Sequence, residues 1–269
     1  MNIMVMSGTK DAFNIMKKLV NNESFHNKFN IIATTTTDYG AAIAKNTGAN
    51  KVIRGELNEN KIANVMEEYE VDLLIDATHP FASNATKNAI EATKKLKIEY
   101  VRFDRPPLNK IDNNKIHTVR SFEETIEKVE NLLKKEDSNY KIMHLAGVSN
   151  LKYLVNKFDK EKICVRVLPS LDSISKCLTL GINPENIIAM QGTFSKEFNK
   201  ALMKEYGASI IITKESGLTG GTPSKISAAL ELGLDIVIIE RPQIKELDKK
   251  RVFNNIDELL EYIYTIKSY

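Results

Sequence analysis

The feature that most constrains this chain is a regular alternation between short β-branched runs and longer amphipathic stretches. Ile3–Met6 is a short apolar run, and the stretch Asp11–Val20 after it places apolar residues at helical spacing. The same succession recurs along most of the 269 residues. Strands that alternate with helices predict parallel sheets covered on both faces. We therefore expect an α/β protein with two Rossmann-like, doubly wound parallel-sheet domains and a cleft between them.

The predicted elements form two series, separated by a segment that breaks the rhythm. Arg105–Lys115 contains Pro106-Pro107 and three consecutive turn formers, Asp112-Asn113-Asn114. We place the boundary just after it, so that residues 1–118 form an N-terminal Rossmann-like domain and residues 119–269 a C-terminal one. Strands are predicted at Ile3–Met6, Asn30–Thr34, Lys51–Ile53, Val71–Asp76, Glu99–Phe103, Lys141–Leu145, Ile163–Val167, Asn186–Met190, Ser209–Thr213 and Asp235–Glu240. Helices are predicted at Asp11–Val20, Gly40–Asn46, Glu59–Tyr69, Ser83–Lys95, Phe122–Leu133, Leu151–Phe158, Asp172–Thr179, Lys196–Tyr206, Ser224–Leu232 and Ile256–Ile266.

Composition narrows the classes of function. The net charge is only +3, and Lys and Glu are interspersed, so there is no basic stripe of the kind that binds nucleic acid. Two cysteines are too few for a disulfide framework or a zinc site, and no spacing of metal ligands occurs. No apolar stretch is long enough to span a membrane, and Met1 leads directly into a strand pattern without a signal peptide. We expect a cytoplasmic protein.

The carboxyl ends of the predicted strands should carry the chemistry, because doubly wound sheets bind ligands there. The first strand ends in Ser7-Gly8-Thr9, a turn whose backbone N–H groups suit a phosphate, although a plain tight turn is an equal alternative. The second strand ends in Thr34-Thr35-Thr36-Thr37-Asp38. These hydroxyls suit a ribose or phosphate, and Asp38 suits a ribose hydroxyl, but a threonine-rich helix cap fits the pattern equally well.

The densest polar cluster follows the fourth strand. There Asp76, Thr78 and His79 precede Pro80-Phe81, with the proline placed to open a helix. Asp76 and His79 are candidates for an acid/base pair or for ligand binding, whereas a lone histidine is more often structural. Arg102 and Arg105, after the fifth strand, suit carboxylates.

Two segments of the second half repeat this strand–glycine–helix arrangement. Gln191-Gly192 follows one strand, and the segment from Thr213 to Lys225 follows the next. The latter combines Gly217, Gly220 and Gly221 with several hydroxyls and lysines at positions 214 and 225. Such a segment favours an anion site built from backbone N–H groups and ammonium ions over a merely flexible loop.

Taken together, these motifs resemble the precorrin-6A reductase family of cobalamin biosynthesis. The resemblance is carried by DATHPFA at 76–82, RFDRP at 102–106, IIAMQGTFS at 187–195, TKESG at 213–217 and IERP at 239–242. It implies an oxidoreductase that transfers hydride from NADPH or NADH to a CH–CH unit of a tetrapyrrole, (cobalt-)precorrin-6A, giving (cobalt-)precorrin-6B. The family often has Gly at the position of Ser7 and an Arg near Asp38, so both cofactors stay open.

The resemblance also implies roles for individual residues. His79 and Asp76 would be catalytic, with either of them or water as the proton donor. The cofactor would contact Ser7, Gly8, Thr9, Thr34, Thr35, Thr36, Thr78, Lys214, Ser216 and Gly217. The tetrapyrrole substrate would contact Pro80, Phe81, Arg102, Arg105, Gln191, Gly192, Lys225 and Arg241.

Two other functions compete with this one. Tyr153 and Lys157 match the Tyr-x-x-x-Lys pair of short-chain dehydrogenases, which would make the chain a different nicotinamide-dependent oxidoreductase. The glycine-rich turn that should accompany that pair is missing. A two-domain protein that binds an anionic small molecule without catalysis is the second alternative.

Overall fold

The strands, most of them apolar β-branched runs, form two six-stranded sheets in which every strand pair is parallel. The computed structural model describes residues 1–21, 29–109, 111–134 and 140–267. The chain divides into two compact units, one comprising Met1–Pro106 and Pro242–Tyr269 and the other Pro107–Arg241. The predicted architecture of two doubly wound parallel-sheet domains is thus confirmed.

The first unit has the strand order β3-β2-β1-β4-β5-β12. Its strands are β1 (Asn2–Met6), β2 (Asn30–Thr35), β3 (Lys51–Arg54), β4 (Leu73–Asp76), β5 (Glu99–Phe103) and β12 (Arg251–Phe253). Its helices are α1 (Lys10–Asn21), α2 (Asp38–Asn46), α3 (Glu59–Glu68), α4 (Ser83–Leu96) and α10 (Ile256–Lys267). The order reverses between β1 and β4, which makes the carboxyl ends of these strands the expected ligand site.

The second unit has the corresponding order β9-β8-β7-β10-β11-β6. Its strands are β6 (Ile116–Val119), β7 (Ile142–His144), β8 (Ile163–Val167), β9 (Ile187–Ala189), β10 (Ile210–Lys214) and β11 (Asp235–Ile239). Its helices are α5 (Phe122–Leu133), α6 (Leu151–Val155), α7 (Leu171–Thr179), α8 (Lys196–Glu205) and α9 (Thr222–Glu231). Here the order reverses between β7 and β10.

The two units differ from the predicted division at residues 118 and 119. Strand β6 pairs with β11, so residues 107–118 belong to the second unit. Strand β12 pairs with β5, and helix α10 packs against the same sheet, so residues 242–269 return to the first unit. Each unit therefore receives its sixth strand from a segment that has just crossed from the other unit.

Buried side chains cover both faces of the first sheet. On one face Ile3 and Val5 pack with Ile15 of α1 and Leu259 of α10, and on the other Met4 packs with Ile62, Met66, Leu74 and Ile90. In the second sheet one face is covered by α8 and α9, through residues such as Met203 and Ile226. In the described ranges, no helix combines the length and apolar character needed to cross a bilayer.

Candidate functional site

The turn after β1 is fixed by hydrogen bonds to its neighbours. Both the backbone N–H and the hydroxyl of Ser7 donate to the carbonyl of Thr34, at 2.9 and 2.8 Å. The hydroxyl of Thr9 donates to the carbonyl of Ala77, at the end of β4, at 2.8 Å. Gly8 has φ +104°, and no atom lies within 4 Å of the position that a Cβ would take. The turn therefore presents open backbone at Gly8, while its hydroxyls hold the strand ends together.

The threonines after β2 divide between a helix cap and a buried hydroxyl. Thr37 caps α2, because its hydroxyl accepts from the N–H of Gly40 at 3.0 Å. Thr34 and Thr35 are buried and Thr36 is exposed. No hydrogen-bond partner reaches the Oγ1 of Thr35 within the described part of the chain. This hydroxyl lies against Gly40, where a Cβ would approach it to 2.2 Å, so only glycine fits there. Thr35 is thus the member of the run with hydrogen-bonding capacity left over.

Asp38 pairs with Arg54, which is not among the predicted site residues. Its Oδ1 lies 2.6 Å from Nη1 of Arg54, the last residue of β3. The two side chains are 78% and 60% exposed, so their ion pair contributes little to stability. The predicted binding of a ribose by Asp38 would require this surface pair to open.

Asp76 is the centre of a buried network at the end of β4. Its Oδ1 accepts from the N–H and hydroxyl of Thr78, at 3.0 and 2.7 Å, and from Nη1 of Arg102 at 2.7 Å. Its Oδ2 accepts from the hydroxyls of Thr86 and Tyr100, at 2.7 and 2.9 Å. Burial alone raises the pKa of Asp76, but the charge of Arg102 and the hydrogen bonds from Thr86 and Thr78 together hold it below its ordinary value. Asp76 is therefore an ionised anchor, which disfavours it as a proton donor.

The two arginines predicted to bind substrate carboxylates are engaged by carboxylates of the protein. Arg102 is 2% exposed and pairs with Asp76 and, at 3.5 Å, with Asp104. Arg105 is 7% exposed, and its Nη2 lies 2.6 Å from Oδ2 of Asp11 in α1. This placement favours a structural role for both arginines, against the sequence interpretation.

The bend between β4 and α4 orients His79. The N–H of Phe81 donates to Nδ1 of His79 at 3.2 Å, and the two rings lie 5.7 Å apart. Since Nδ1 acts as an acceptor, a neutral imidazole carries its proton on Nε2. His79 and Phe81 are half-buried, and Pro80 between them is buried. The geometry is that of a histidine held in one tautomer at the carboxyl edge of the sheet.

In the second unit, the loop between β10 and α9 is folded on itself. The hydroxyl of Thr222 accepts from the N–H of Ser216 at 3.1 Å and donates to the carbonyl of Lys214 at 3.2 Å. The N–H of Gly217, at φ +68°, donates to Oε1 of Glu215 at 2.9 Å. Burial lowers the pKa of Lys214. This loop is a built structure, not a flexible connection.

The loop after β9 packs against it. A Cβ at Gly221 would lie 3.2 Å from the side chain of Thr193, and the hydroxyl of Ser224 donates to the carbonyl of Phe194 at 2.8 Å. Gln191 and Gly192 are exposed at the tip of this loop. The structure thus brings the two predicted ligand-binding segments of the second unit together.

Glu215 joins both segments at which the chain crosses between the units. It forms an ion pair with Arg241, and its Oε1 accepts from the N–H of Leu108 at 3.2 Å. Arg241, predicted to bind substrate, is therefore engaged by an internal carboxylate. Glu215 and Arg241 also line a cavity of about 500 Å³, walled by apolar residues that include Ile111, Ile116, Ile226 and Ile238.

Lys225 lies in the first turn of α9 and is 8% exposed. Its Nζ donates to the hydroxyl of Thr213 at 3.4 Å. Burial, with a smaller contribution from the charge of Arg166, lowers the pKa of Lys225 to about 7. The lysine thus lies near a second, half-buried cation.

Arg166 and His144 are further titratable residues at the carboxyl edge of the second sheet that sequence reasoning missed. Nη1 of Arg166 donates to Oδ1 of Asn199 at 3.1 Å. His144 is fully buried, its Nε2 lies 2.8 Å from the carbonyl of Gly147, and burial lowers its pKa to about 4. Arg166 lies in the strand ICVRV and His144 in the strand IMH. A charged or titratable residue inside an otherwise apolar strand is the sequence feature that could have identified them.

Tyr153 and Lys157, which match the pair typical of short-chain dehydrogenases, contact other side chains. Nζ of Lys157 lies 2.8 Å from Oε1 of Glu130, and the ring of Tyr153 packs 5.8 Å from that of Phe122. Helix α6 ends at Val155, before the lysine. The structure therefore gives this motif no helix on which both side chains project together.

Comparison with known proteins agrees with the motifs. A family model described as precorrin-6x reductase CbiJ/CobK matches residues 2–264. A cobalt-precorrin-6A reductase of Methanocaldococcus jannaschii is 44% identical over 267 residues, covering 99% of this chain and all of that protein. That of Methanothermobacter thermautotrophicus is 42% identical over 266 residues, covering 99% and 84%. The solved structure of a precorrin-6A reductase, CobK, matches the fold with a TM-score of 0.74 at 17% identity, covering 98% of this chain and 96% of that one. The chain therefore belongs to the precorrin-6x reductase family.

Proposed function

We propose that this chain reduces (cobalt-)precorrin-6A to (cobalt-)precorrin-6B with NADPH or NADH, as a step of cobalamin biosynthesis. The observation that carries the proposal is the match of the family model to residues 2–264. The relatives at 44% and 42% identity, both cobalt-precorrin-6A reductases, favour the cobalt-containing substrate. The reaction adds a hydride to one carbon of a double bond and a proton to its neighbour, so the ring system gains two hydrogens.

The first unit has features that fit a dinucleotide. Its first strand–helix turn lies where the strand order reverses, and Gly8 leaves backbone open there. The buried Oγ1 of Thr35, at the end of the neighbouring strand, lacks a protein partner among the described residues and suits a ribose hydroxyl. A bound reduced nicotinamide supplies the hydride, and the protein supplies orientation.

His79 is the proposed proton donor. Phe81 holds Nδ1 as an acceptor, so the proton lies on Nε2 in the neutral ring, and water would supply a proton to Nε2 as that one is transferred. Asp76 positions the end of the same strand through Thr78 and Arg102. Since the carboxylate of Asp76 is ionised and surrounded by donors, it carries no proton to give.

The second unit is proposed to bind the acidic side chains of the tetrapyrrole. Its two packed loops present Gln191 and Gly192, and Lys225 adds a buried ammonium group directly after Ser224, whose hydroxyl donates to the carbonyl of Phe194. Lys214, Ser216 and Gly217 stay candidates for cofactor contacts on the same loop. An ammonium group and backbone N–H donors are the groups that carboxylates and phosphates prefer.

The test is anaerobic incubation with cobalt-precorrin-6A and each reduced nicotinamide in turn, followed by mass spectrometry. We expect a gain of two hydrogens in the corrinoid, with one nicotinamide oxidised per product. His79→Gln should slow turnover by about 10²-fold or more, which is the usual size of a general-acid contribution. His117→Gln, which changes a histidine bonded to Asp235 on the edge strand β6, is the matched control and should retain turnover. Binding of the corrinoid without any mass gain would contradict the proposal.

A further inference from the structure

A half-buried arginine and a buried lysine lie on one side of the second sheet, at its carboxyl edge. Val165 of β8 and Ile212 of β10 are both aligned with His144 of β7. The next residues of these two strands, Arg166 and Thr213, therefore lie at the same level of the sheet and on the same face. Lys225 reaches the same edge from α9 and bonds to the hydroxyl of Thr213. Asn199 links the two, since it accepts from Arg166 and lies 3.4 Å from the hydroxyl of Ser224, the neighbour of Lys225 in sequence.

Neither cation has a counter-charge among the residues that the structure describes. In the ranges that the structure describes, no carboxylate forms an ion pair with Arg166 or with Lys225. Arg166 instead makes one hydrogen bond to a neutral amide and lies over the ring of Phe194, at 5.3 Å. Buried charges are normally paired, because removing an unpaired charge from water is costly.

The surroundings increase the positive potential. Helix α8 begins after its cap Ser195, and α9 begins at Thr222, so the amino termini of both helices lie at this edge. The like charge of Arg166 contributes to the lowered pKa of Lys225. The protein therefore holds two cations together at a cost that an anionic ligand would offset.

We propose that Arg166 and Lys225 form one anion-binding site, which takes a carboxylate or phosphate group of a ligand of the reductase. The identity of that ligand rests on the proposed function. A carboxylate would come from the tetrapyrrole, whereas a phosphate would come from the nicotinamide dinucleotide. Asn199 acts as the positioning residue that orients the guanidinium group of Arg166.

The site itself is tested without turnover, with inorganic phosphate as the probe. Phosphate should raise the thermal unfolding midpoint of the unmodified chain above its value in sodium chloride of equal ionic strength. Lys225→Met should weaken phosphate binding by about tenfold or more, the effect of losing a charge-assisted hydrogen bond. Arg166→Met should do the same and serves if the first variant does not fold. Lys204→Met changes an exposed lysine of α8 and should keep the response.

Retention of the phosphate response in both Lys225→Met and Arg166→Met would overturn the proposal. A second readout separates a ligand site from a structural one. Without phosphate, Lys225→Met should unfold at the same or a higher temperature, because the repulsion by Arg166 is removed. A large drop of the midpoint together with an intact phosphate response would also refute the site.

Steady-state kinetics identify the source of the anion. If the group is a carboxylate, both variants raise the KM for cobalt-precorrin-6A by about tenfold and leave that for the nicotinamide unchanged. If the group is a phosphate, both variants raise the KM for the nicotinamide and leave that for cobalt-precorrin-6A unchanged. If neither constant changes while the reductase turns over, the inference fails and the proposed function stands. If no reduction occurs at all, the proposed function fails, and the phosphate titration still decides the site.

Discussion

The two units have the same strand order, but the cationic side chains at the carboxyl edges of their sheets have different partners. In the first unit, Arg102 and Arg105 are buried against Asp76 and Asp11. In the second unit, the half-buried Arg166 and the buried Lys225 have no carboxylate partner among the described residues. The difference teaches that the position of a charged residue in a doubly wound sheet does not define its role. A cation that is paired with a carboxylate of the protein has a structural role in this account, whereas a cation without such a partner is available to bind an anionic ligand.

The largest effect is expected where compensation is broken in the first unit. Asp76→Asn leaves the buried guanidinium of Arg102 uncompensated and should lower the free energy of unfolding by about 3–5 kcal/mol. Urea denaturation followed by circular dichroism measures the change. Because the folded pKa of Asp76 lies below its ordinary 3.8, this stabilisation is present above that pH and lost as the pH falls through the folded pKa. The variant should lack that acid-dependent loss.

The control for this prediction is the exposed pair of the same unit. Asp38→Asn removes a charge from an ion pair with Arg54 that is largely exposed. The expected change is about 0–1 kcal/mol, as for most surface ion pairs. Equal effects of the two variants would show that the network around Asp76 is not the structural anchor that its contacts indicate.

A smaller effect is expected at the pair that joins the two crossing segments. Glu215→Gln weakens the ion pair with Arg241 and the hydrogen bonds from Leu108 and Gly217, and should cost about 1–2 kcal/mol. Hydrogen exchange should speed up at the amide of Leu108. Glu240→Gln, whose partner Arg120 is 86% exposed, should change neither quantity. Unchanged exchange in Glu215→Gln would contradict the assigned role.

The smallest effect is expected at Thr35, whose buried hydroxyl has no hydrogen-bond partner in the described part of the chain. Thr35→Val removes a buried hydroxyl without a hydrogen bond, so stability should rise by up to about 1 kcal/mol. Dinucleotide affinity, measured by calorimetry, should fall about three- to tenfold. Thr93→Val removes a hydroxyl that donates to the carbonyl of Ala89, so it should lower stability and leave affinity unchanged. An unaltered affinity in Thr35→Val would remove that residue from the proposed cofactor site.

Much of this architecture follows from the local pattern of the sequence. Strands such as Ile163–Val167 and Glu99–Phe103 match their predicted bounds because their apolar runs end at clear turn signals. The two missed strands, Ile116–Val119 and Arg251–Phe253, are short edge strands in which every side chain except that of Val119 is half-buried or exposed, so no apolar run marks them. Missing them also displaced the domain boundary, because both belong to segments that have just crossed between the units.

The candidate site was less predictable than the fold. Topology located the ends of β1, β4 and β10 as the places to examine, and the two loops of the second unit do pack together. The partner of each charged side chain is a residue distant in sequence, brought to it by the fold. Arg102 meets a carboxylate 26 residues away, whereas Arg166 meets an amide 33 residues away, and no local pattern distinguishes the two.

The most direct test of this comparison is the Michaelis constants of two variants, one from each unit. Tyr100→Phe removes a donor to Asp76, so it should lower the unfolding midpoint and leave the constants for corrinoid and nicotinamide unchanged. Lys225→Met should raise one of those constants by about tenfold without lowering the midpoint. The account would be contradicted if Tyr100→Phe altered a Michaelis constant while Lys225→Met left the constants for corrinoid and nicotinamide unchanged. The charges of the two units could then not be divided into structural and ligand-binding ones.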